Sequence, residues 1–173
     1  MPHAPTKILY SSFKSPFGRC WVAWSDLDIC AVSLKRKEED FLSLKGHSNG
    51  MIFQKQARCH PEARRQLLAY FNGKLKRFSL PLDFLWGTNF QQAVWKGLLT
   101  IPYGETRSYR WLAEKVGSPR AFRAAGQANG KNPITIVIPC HRVISADGSL
   151  GGFTGGLDLK RRLLAIEGVQ LAG

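Results

Sequence analysis

Long hydrophobic runs are missing from this chain of 173 residues. No segment approaches the roughly 18 uninterrupted apolar residues that a membrane-spanning helix needs, so we expect no membrane partner. The first residues, Met1 to Lys7, are not followed by the apolar core of a secretion signal. We therefore predict an intracellular protein, cytoplasmic, or nuclear if the source is eukaryotic.

Cysteine is also scarce. The four cysteines are too few for a disulfide framework in a chain of this length. Cys20 and Cys30 lie in apolar stretches and are predicted to be core residues. Cys59 is followed by His60, but no CxxC or HxxxH partner accompanies the pair, so the spacing predicts no zinc site. We expect neither a metal nor any other cofactor.

Acidic residues are too few to balance the basic ones, which gives a net charge of +13 and a pI near 10.0. Residues 1–85 hold 14 Lys and Arg against 7 Asp and Glu, and residues 86–173 hold 11 against 5. Because both halves are basic, the charge is not that of a tail on a neutral body. A field of this kind favours polyanions, nucleic acid above all.

The first half of the sequence reads as a small α/β domain, residues 1–85. Three alternating stretches predict an antiparallel β-meander, a basic-acidic stretch then opens a helix, and Pro61 and Asn72-Gly73 bracket a second helix. The predicted elements are strands Lys7–Phe13, Gly18–Trp24 and Ile29–Leu34, a helix from Lys35–Asp40 towards Leu44, a polar loop Gly46–Gly50, a helix Pro61–Phe71 and a short strand Ser79–Leu82.

The second half, residues 86–173, is predicted to be mainly helical. Thr88 and Gln91 fit a capping box for a helix to about Leu99. Helix Ser108–Val116 is stopped by Gly117, and Ser118-Pro119 starts another, which together predict a helix-turn-helix. A last helix spans Leu157–Ile166. The fold class is α+β, with an antiparallel sheet and helix in the first domain.

The helix after Ser118 carries Arg120, Arg123 and Gln127 at spacings of three and four residues, which places them on one face. Its other residues are unusually small. Small residues allow close packing on a neighbouring helix, and equally a close approach to a DNA groove. A major-groove reader usually carries several long polar side chains, so this set suits sequence-independent contact, as in the minor groove. The basic charge of the chain favours this DNA contact over simple packing on a neighbouring helix.

Cys140 follows the apolar run Ile134–Ile138, which reads as a buried strand that Pro139 ends. A thiol at the end of a buried strand is held at a fixed point, and His141 beside it offers a base. The alternative is an inert, buried cysteine, which is the common fate of that residue. Glu167 opposes the dipole of the last helix and is a candidate partner of His141.

The stretch Ile138-Pro139-Cys140-His141-Arg142-Val143 resembles the O6-alkylguanine-DNA alkyltransferases. The resemblance covers residues 83–173. Within that range it is also carried by Asn132-Pro133, the glycine-rich loop 151–156 and Leu163-Leu164-Ala165-Ile166-Glu167-Gly168. It is weaker in the first half. It implies direct reversal of DNA damage, in which one alkyl group moves irreversibly from O6-alkylguanine, and also from O4-alkylthymine, to Cys140.

The resemblance also implies a role for each site residue. His141 would take the proton of Cys140 through a water, Glu167 would orient His141, and Asn132 would hold the turn that carries the cysteine. Tyr109 would donate to guanine N3, the backbone N–H of Thr154 to O6, and the carbonyls of Cys140 and Val143 would accept from the amine. Phe153 would line the pocket and Lys160 would assist electrostatically or by ordering the loop.

The implied partner is double-stranded DNA, contacted through the minor groove by a monomer for which clustering on DNA is left open. Extrusion of the target base leaves a gap that Arg123 would fill, with the small face including Ala124 and Gln127 in the groove. Arg110 and Ser118 would contact phosphates.

Many relatives carry Tyr and Ser at positions 153 and 154, so the alkyl preference is open. A non-catalytic lesion-binding or helix-turn-helix regulatory protein is the alternative; a turning-over cysteine hydrolase is disfavoured because its Cys and His are usually far apart.

Overall fold

The structure is a computed structural model, and it describes residues 6–26, 28–35, 37–43 and 50–171. The chain divides into two compact units, with the boundary between Trp86 and Gly87. Among the described residues, no helix is both long and apolar enough to cross a membrane. The predicted polar loop at 46–50 lies outside the described residues except for Gly50.

The first unit is built on a four-stranded sheet. The predicted meander is confirmed: β1 (Thr6–Ser15), β2 (Gly18–Ser25) and β3 (Asp28–Ser33) pair antiparallel in sequence. Strand β4 (Met51–Lys55) pairs parallel to β1, so the order is β3-β2-β1-β4 and the sheet is mixed. Strand β4 was not predicted from the sequence, and it adds a parallel edge to the predicted antiparallel sheet.

Two helices accompany this sheet. Helix α1 (Glu38–Leu42) is shorter than the predicted element, and its one buried residue, Phe41, joins the core formed by Ile8, Tyr10, Trp21, Ala23, Cys30 and Ala31. Helix α2 spans Pro61–Phe71 as predicted. The predicted strand Ser79–Leu82 is wrong: it is reduced to an isolated bridge between Leu82 and Ile29.

The second unit is mainly helical. Helix α3 (Asn89–Leu98) begins at Thr88 with the predicted capping box, in which the Thr88 hydroxyl and the Gln91 side chain satisfy each other's backbone N–H groups. Helices α4 (Tyr109–Lys115) and α5 (Phe122–Gly130) form the helix-turn-helix, and α6 spans Leu157–Ile166 as predicted. Strands β5 (Arg107–Ser108) and β6 (Val143–Ile144) pair parallel.

Helix α5 begins later than the sequence predicts. Residues Ser118 to Ala121 form a turn, closed by a 2.8 Å hydrogen bond from the N–H of Ala121 to the carbonyl of Ser118, and Ala121 is the N-cap. The N–H of Ser118 donates back to Ala113, which commits it to the end of α4 rather than to a new helix. Arg120 therefore lies before the helix, and only Arg123 and Gln127 share a helical face.

The short β5–β6 pair positions the site. It aligns Arg107 with Val143 and Ser108 with Ile144, so the start of α4 lies beside the chain that leaves Cys140. The indole N–H of Trp95 donates to the carbonyl of Ala128 at 2.8 Å, which ties α3 to α5. Both ends of the cysteine segment are thus anchored to the helical core.

Candidate active site around Cys140

The segment that leads to Cys140 is a buried turn, so the predicted strand at Ile134–Ile138 is wrong. The N–H of Ile138 donates to the carbonyl of Ile134 at 2.9 Å, and the side chain of Asn132 bridges both ends of the turn. Its Nδ2 donates to Ile138 at 2.8 Å, and its Oδ1 accepts from Ile134 at 2.9 Å. The run is apolar because it is buried, and these three hydrogen bonds hold it as a turn.

Ile136, at the tip of this turn, has φ +78°. The left-handed region is unfavourable for a β-branched residue, and such strain clusters at functional sites. The backbone N–H of Ile136 is directed at the sulfur of Cys140 and favours its thiolate form. The strained backbone conformation of Ile136 thus orients its N–H group toward the thiol of Cys140.

Cys140 opens a short 3-10 turn, Cys140–Arg142, and is only 3 % exposed. Burial raises the pKa of the Cys140 thiol above its ordinary value. A hydrogen bond from Asn132, the charge of Lys160 and backbone N–H groups oppose that rise. The resting cysteine is therefore protonated at neutral pH, yet it is surrounded by groups that stabilise its thiolate.

His141 and Glu167 are in contact, as the resemblance implied. Nε2 of His141 lies 2.7 Å from Oε1 of Glu167, and both side chains are fully buried. Burial lowers the pKa of His141, and the Glu167 carboxylate only partly restores it. The imidazole is therefore neutral at pH 7. With Nε2–H donated to the carboxylate, Nδ1 is the nitrogen that can accept a proton.

Arg142 belongs to the site as well, although the sequence predicted no separate role for it. Its Nε donates to Oε2 of Glu167 at 2.9 Å and its Nη2 to Oε1 at 3.1 Å, while Nη1 donates to the carbonyl of Ile101 at 2.6 Å. The N–H of Gly104 donates to Glu167 as well, at 3.0 Å. The carboxylate is thus held by four donors, counting His141, and its orientation is fixed.

Lys160 is buried among backbone carbonyls. Its ammonium donates to Val143 at 2.6 Å, and also to Leu150 and Gly152. Burial lowers the pKa of Lys160 to about 8, and Cys140 opposes that change. The lysine therefore ties the chain after Cys140 to the glycine-rich loop and brings positive charge near the thiol.

Tyr109 packs against the glycine-rich loop, which the resemblance assigns to the wall of the guanine pocket. The hydroxyl of Tyr109 donates to the carbonyl of Gly152 at 3.3 Å. Gly151 has φ +65°, and a Cβ there would lie 2.9 Å from the Tyr109 ring and hydroxyl, so only glycine fits. Thr154 donates from its hydroxyl to the carbonyl of Gly130 at 2.7 Å, and the Phe153 ring centroid lies 5.9 Å from Nζ of Lys160.

Asn129 was missed by the sequence reasoning. It is buried on α5, and its Nδ2 donates to the carbonyl of Cys140 at 3.3 Å. Its position within a run of small helical residues gave no signal of this contact. The carbonyls of Cys140 and Val143, both predicted to accept from guanine, already accept from Asn129 and Lys160. Each retains a second lone pair.

The predicted DNA-contact residues lie on the helix-turn-helix. Arg110, Arg123, Ala124 and Gln127 are exposed, and Ser118 is half-buried in the turn. Unlike the groups around Cys140, none of them is buried. Among the residues that the structure describes, no cluster of three or more metal-binding side chains occurs.

The fold and the site define a class of protein: one in which a helix-turn-helix adjoins a buried cysteine with a His-Glu pair beside it. Two family descriptions match the chain, the DNA binding domain of 6-O-methylguanine DNA methyltransferase over residues 89–169 and its ribonuclease-like domain over residues 8–84. The chain belongs to the methylated-DNA–protein-cysteine methyltransferase family, whose members are DNA-repair enzymes for O6-methylguanine. The predicted family, enzyme class and fold class are confirmed.

The similarity extends over nearly the whole chain. A methylated-DNA–protein-cysteine methyltransferase of Methanosarcina barkeri is 58% identical over 92% of this chain and 97% of its own length, and one of Methanosarcina acetivorans is 44% identical over 93% and 99%. Mycobacterium tuberculosis OGT in complex with DNA superposes with a TM-score of 0.80 at 42% identity, covering 92% of both chains. The O6-methylguanine-DNA methyltransferase of Pyrococcus kodakaraensis gives 0.72 at 25% identity, over 94% and 99%.

Proposed function

We propose that Cys140 is the residue that accepts the alkyl group of O6-alkylguanine in DNA, once per molecule. Its sulfur attacks the alkyl carbon; the S–C bond forms as the C–O6 bond breaks, and the bonding electrons pass to the guanine. The thiol loses its proton and the released guanine takes one up, so the reaction balances without a cofactor. The thioether product is not hydrolysed, which makes the transfer irreversible.

The observation that carries this proposal is the contact of His141 with Glu167, next to the thiol of Cys140. Asn132, Lys160 and backbone N–H groups around that thiol stabilise its thiolate form. In the proposed step, Nδ1 of His141 accepts the thiol proton through a water. The resulting imidazolium is stabilised by the buried Glu167 carboxylate. Arg142 fixes that carboxylate, and Asn132 fixes the turn that presents the sulfur.

The leaving guanine would be held by the pocket wall. Tyr109 would donate to N3, the Thr154 N–H to O6, and the remaining lone pairs of the Cys140 and Val143 carbonyls would accept from the exocyclic amine. Such donors stabilise charge as it develops on the base. Phe153 would pack on the guanine ring. The same pocket would also accept O4-alkylthymine.

Lys160 would serve in two ways. Its hydrogen bonds to Val143, Leu150 and Gly152 hold the loop in place. Its positive charge favours the Cys140 thiolate, which is the attacking species. Both contributions require the protonated amine to remain buried near the sulfur.

We also propose that α5 contacts the minor groove of duplex DNA. The exposed face around Ala124 and Gln127 is small enough for a close approach, and the exposed Arg123 would enter the gap left by an extruded base. Arg110 and Ser118 would contact phosphates. The protein would act as a monomer, or in clusters along DNA, in the compartment that holds the chromosome, the cytoplasm or a nucleus.

Intact mass with peptide mapping tests the proposal, after the protein is mixed with excess duplex that contains O6-methylguanine. We expect one methyl group per molecule, located on Cys140 and absent from Cys140→Ala. Cys59→Ala is the matched control, since Cys59 is half-buried and should leave transfer intact. An unchanged mass despite DNA binding would assign the chain to the non-catalytic lesion binders.

A further inference from the structure

One stripe of helix α5 leads from the protein surface to the pocket. It consists of Phe122, Gly126 and Gly130, which are four residues apart and therefore lie in line along the helix. A Cβ on Gly126 would lie 3.3 Å from the Tyr109 ring, and the carbonyl of Gly130 accepts from Thr154. Two of the three positions thus contact the pocket wall, and Phe122 occupies the outer end.

Phe122 is 43 % exposed. A single exposed apolar side chain is common on protein surfaces, so exposure alone carries no argument. The position of Phe122 on the helix is more informative, because the other exposed residues of α5 are polar or small, namely Arg123, Ala124, Gln127 and Gly130. Phe122 is the one bulky apolar group that this helix presents to solvent, and it lies one turn before Gly126, which faces the Tyr109 ring.

The surroundings of Phe122 point to an anionic partner. The guanidinium carbon of Arg123 lies 5.9 Å from the centre of the Phe122 ring, and Arg110 is exposed at the start of α4. The chain carries a net charge of +13. An aromatic ring beside an arginine, in a strongly basic chain, combines the two features by which proteins hold opened nucleic acid, base stacking and phosphate attraction.

We propose that Phe122 packs on the DNA at the rim of the Cys140 pocket, as an apolar wedge against the nucleotides that flank the extruded base. Minor-groove proteins use phenylalanine and similar side chains in this way to stabilise unstacked steps. This inference rests on the proposed alkyl transfer from DNA. Phe122 would then be a positioning residue that acts on duplex substrates and has no role with a free base.

The test compares two substrates, duplex O6-methylguanine and free O6-benzylguanine, with three variants. Phe122→Ala should slow transfer from the duplex about tenfold, equivalent to about 1.4 kcal/mol, and change the reaction with the free base less than twofold. Phe122→Leu keeps an apolar wedge without the ring and should lose about threefold. Leu99→Ala is the matched control, because Leu99 is 44 % exposed in the same unit but lies at the end of α3, and both rates should stay unchanged.

Each contrary result has its own meaning. Phe122 variants with wild-type rates on the duplex would overturn the wedge while leaving the alkyl transfer intact. Equal slowing on both substrates would also overturn it, since a damaged pocket would then be the cause. A wild-type protein that transfers from neither substrate would instead refute the proposed function. Circular dichroism confirms folding, and Phe122→Leu carries the test if Phe122→Ala is unstable.

Discussion

The ammonium of Lys160 lies 2.6 Å from the carbonyl oxygen of Val143, on a side chain with no solvent exposure. A buried cation without a carboxylate partner among its hydrogen bonds is costly, and here the cost appears as a pKa lowered to about 8. The contact shows how the chain that follows Cys140 is fixed: by carbonyl groups converging on a charge rather than by a longer sheet.

The first prediction concerns pH and Lys160. The folded protein releases this proton near pH 8, whereas the unfolded chain keeps it to about pH 10.5. Unfolding therefore takes up a proton between these values, and the Lys160 contribution to the free energy of unfolding rises with pH across that window. We compare the free energy of unfolding of the wild type with that of Lys160→Met by urea denaturation. From pH 8 to 10.5, the wild-type value should increase relative to that of the variant by up to about 3 kcal/mol. A difference that stays flat from pH 8 to 10.5 would contradict the buried charge.

The second prediction separates a buried ion pair from a surface one. Glu167→Gln leaves Arg142 buried without its carboxylate and should lower the free energy of unfolding by about 3–5 kcal/mol. It should also lower the pKa of His141 further, because Glu167 is what raises it. Glu105→Gln breaks the exposed pair with Arg107 and should cost less than about 1 kcal/mol. Chemical denaturation measures the loss of stability, and NMR titration measures the pKa of His141. Equal losses in the free energy of unfolding for Glu167→Gln and Glu105→Gln would contradict the difference between the buried and the exposed ion pair.

The third prediction uses the left-handed backbone of Ile136. Both Ile136→Ala and Ile136→Gly lose the buried side chain, but only glycine relieves the strain at φ +78°. The glycine variant should therefore be more stable than the alanine variant by about 1–2 kcal/mol. At Ile134, which is buried in the same turn without a positive φ, alanine should be the more stable choice. The same order at both positions would contradict the strain.

The fourth prediction concerns the pocket wall. Gly151→Ala places a Cβ 2.9 Å from Tyr109 and should displace the ring, so that the rates with duplex and with free O6-benzylguanine fall together, by tenfold or more. Gly148→Ala is the control: its φ of +85° is equally left-handed, but nothing lies within 4 Å of the new Cβ. If both variants lose activity alike, loop strain rather than contact with Tyr109 is responsible.

The fifth prediction concerns Arg123. Arg123→Ala should slow transfer from duplex DNA strongly and transfer from free O6-benzylguanine little, because only the duplex contains a gap to fill. Binding of the wild type should weaken steeply with salt. Arg58→Ala removes the same charge from an exposed position of the first unit and controls for the overall field. Equal losses on the two substrates would argue against a base-flipping role for Arg123.

Helices with clear capping and terminating residues were predicted correctly from the sequence. Thr88 and Gln91 form the expected capping box, and helices Pro61–Phe71 and Leu157–Ile166 have the expected ends. Strand β4 was missed because it is short, only partly buried, and pairs in parallel with residues about 45 positions earlier. No local pattern reports such a pairing.

The site could be predicted only as far as its motif. The contact of His141 with Glu167 was predicted from the place of Glu167 at the end of the last helix and from the family resemblance, and it is present in the structure. The turn before Cys140 was misread as a strand, because burial on all sides gives a strand and a buried turn the same apolar composition. The roles of Asn129 and Arg142 depend on contacts across 11 and 25 residues of sequence, which composition and spacing do not encode.

The burial of Cys140 also bears on oxidation. Attack by peroxide follows thiolate character and exposure, and the resting cysteine has a raised pKa and almost no accessible surface. A residue that can react only once would be lost to a single chance encounter with an oxidant. In this fold the resting sulfur is protonated and enclosed, which would protect the proposed alkyl acceptor from oxidants before it meets DNA.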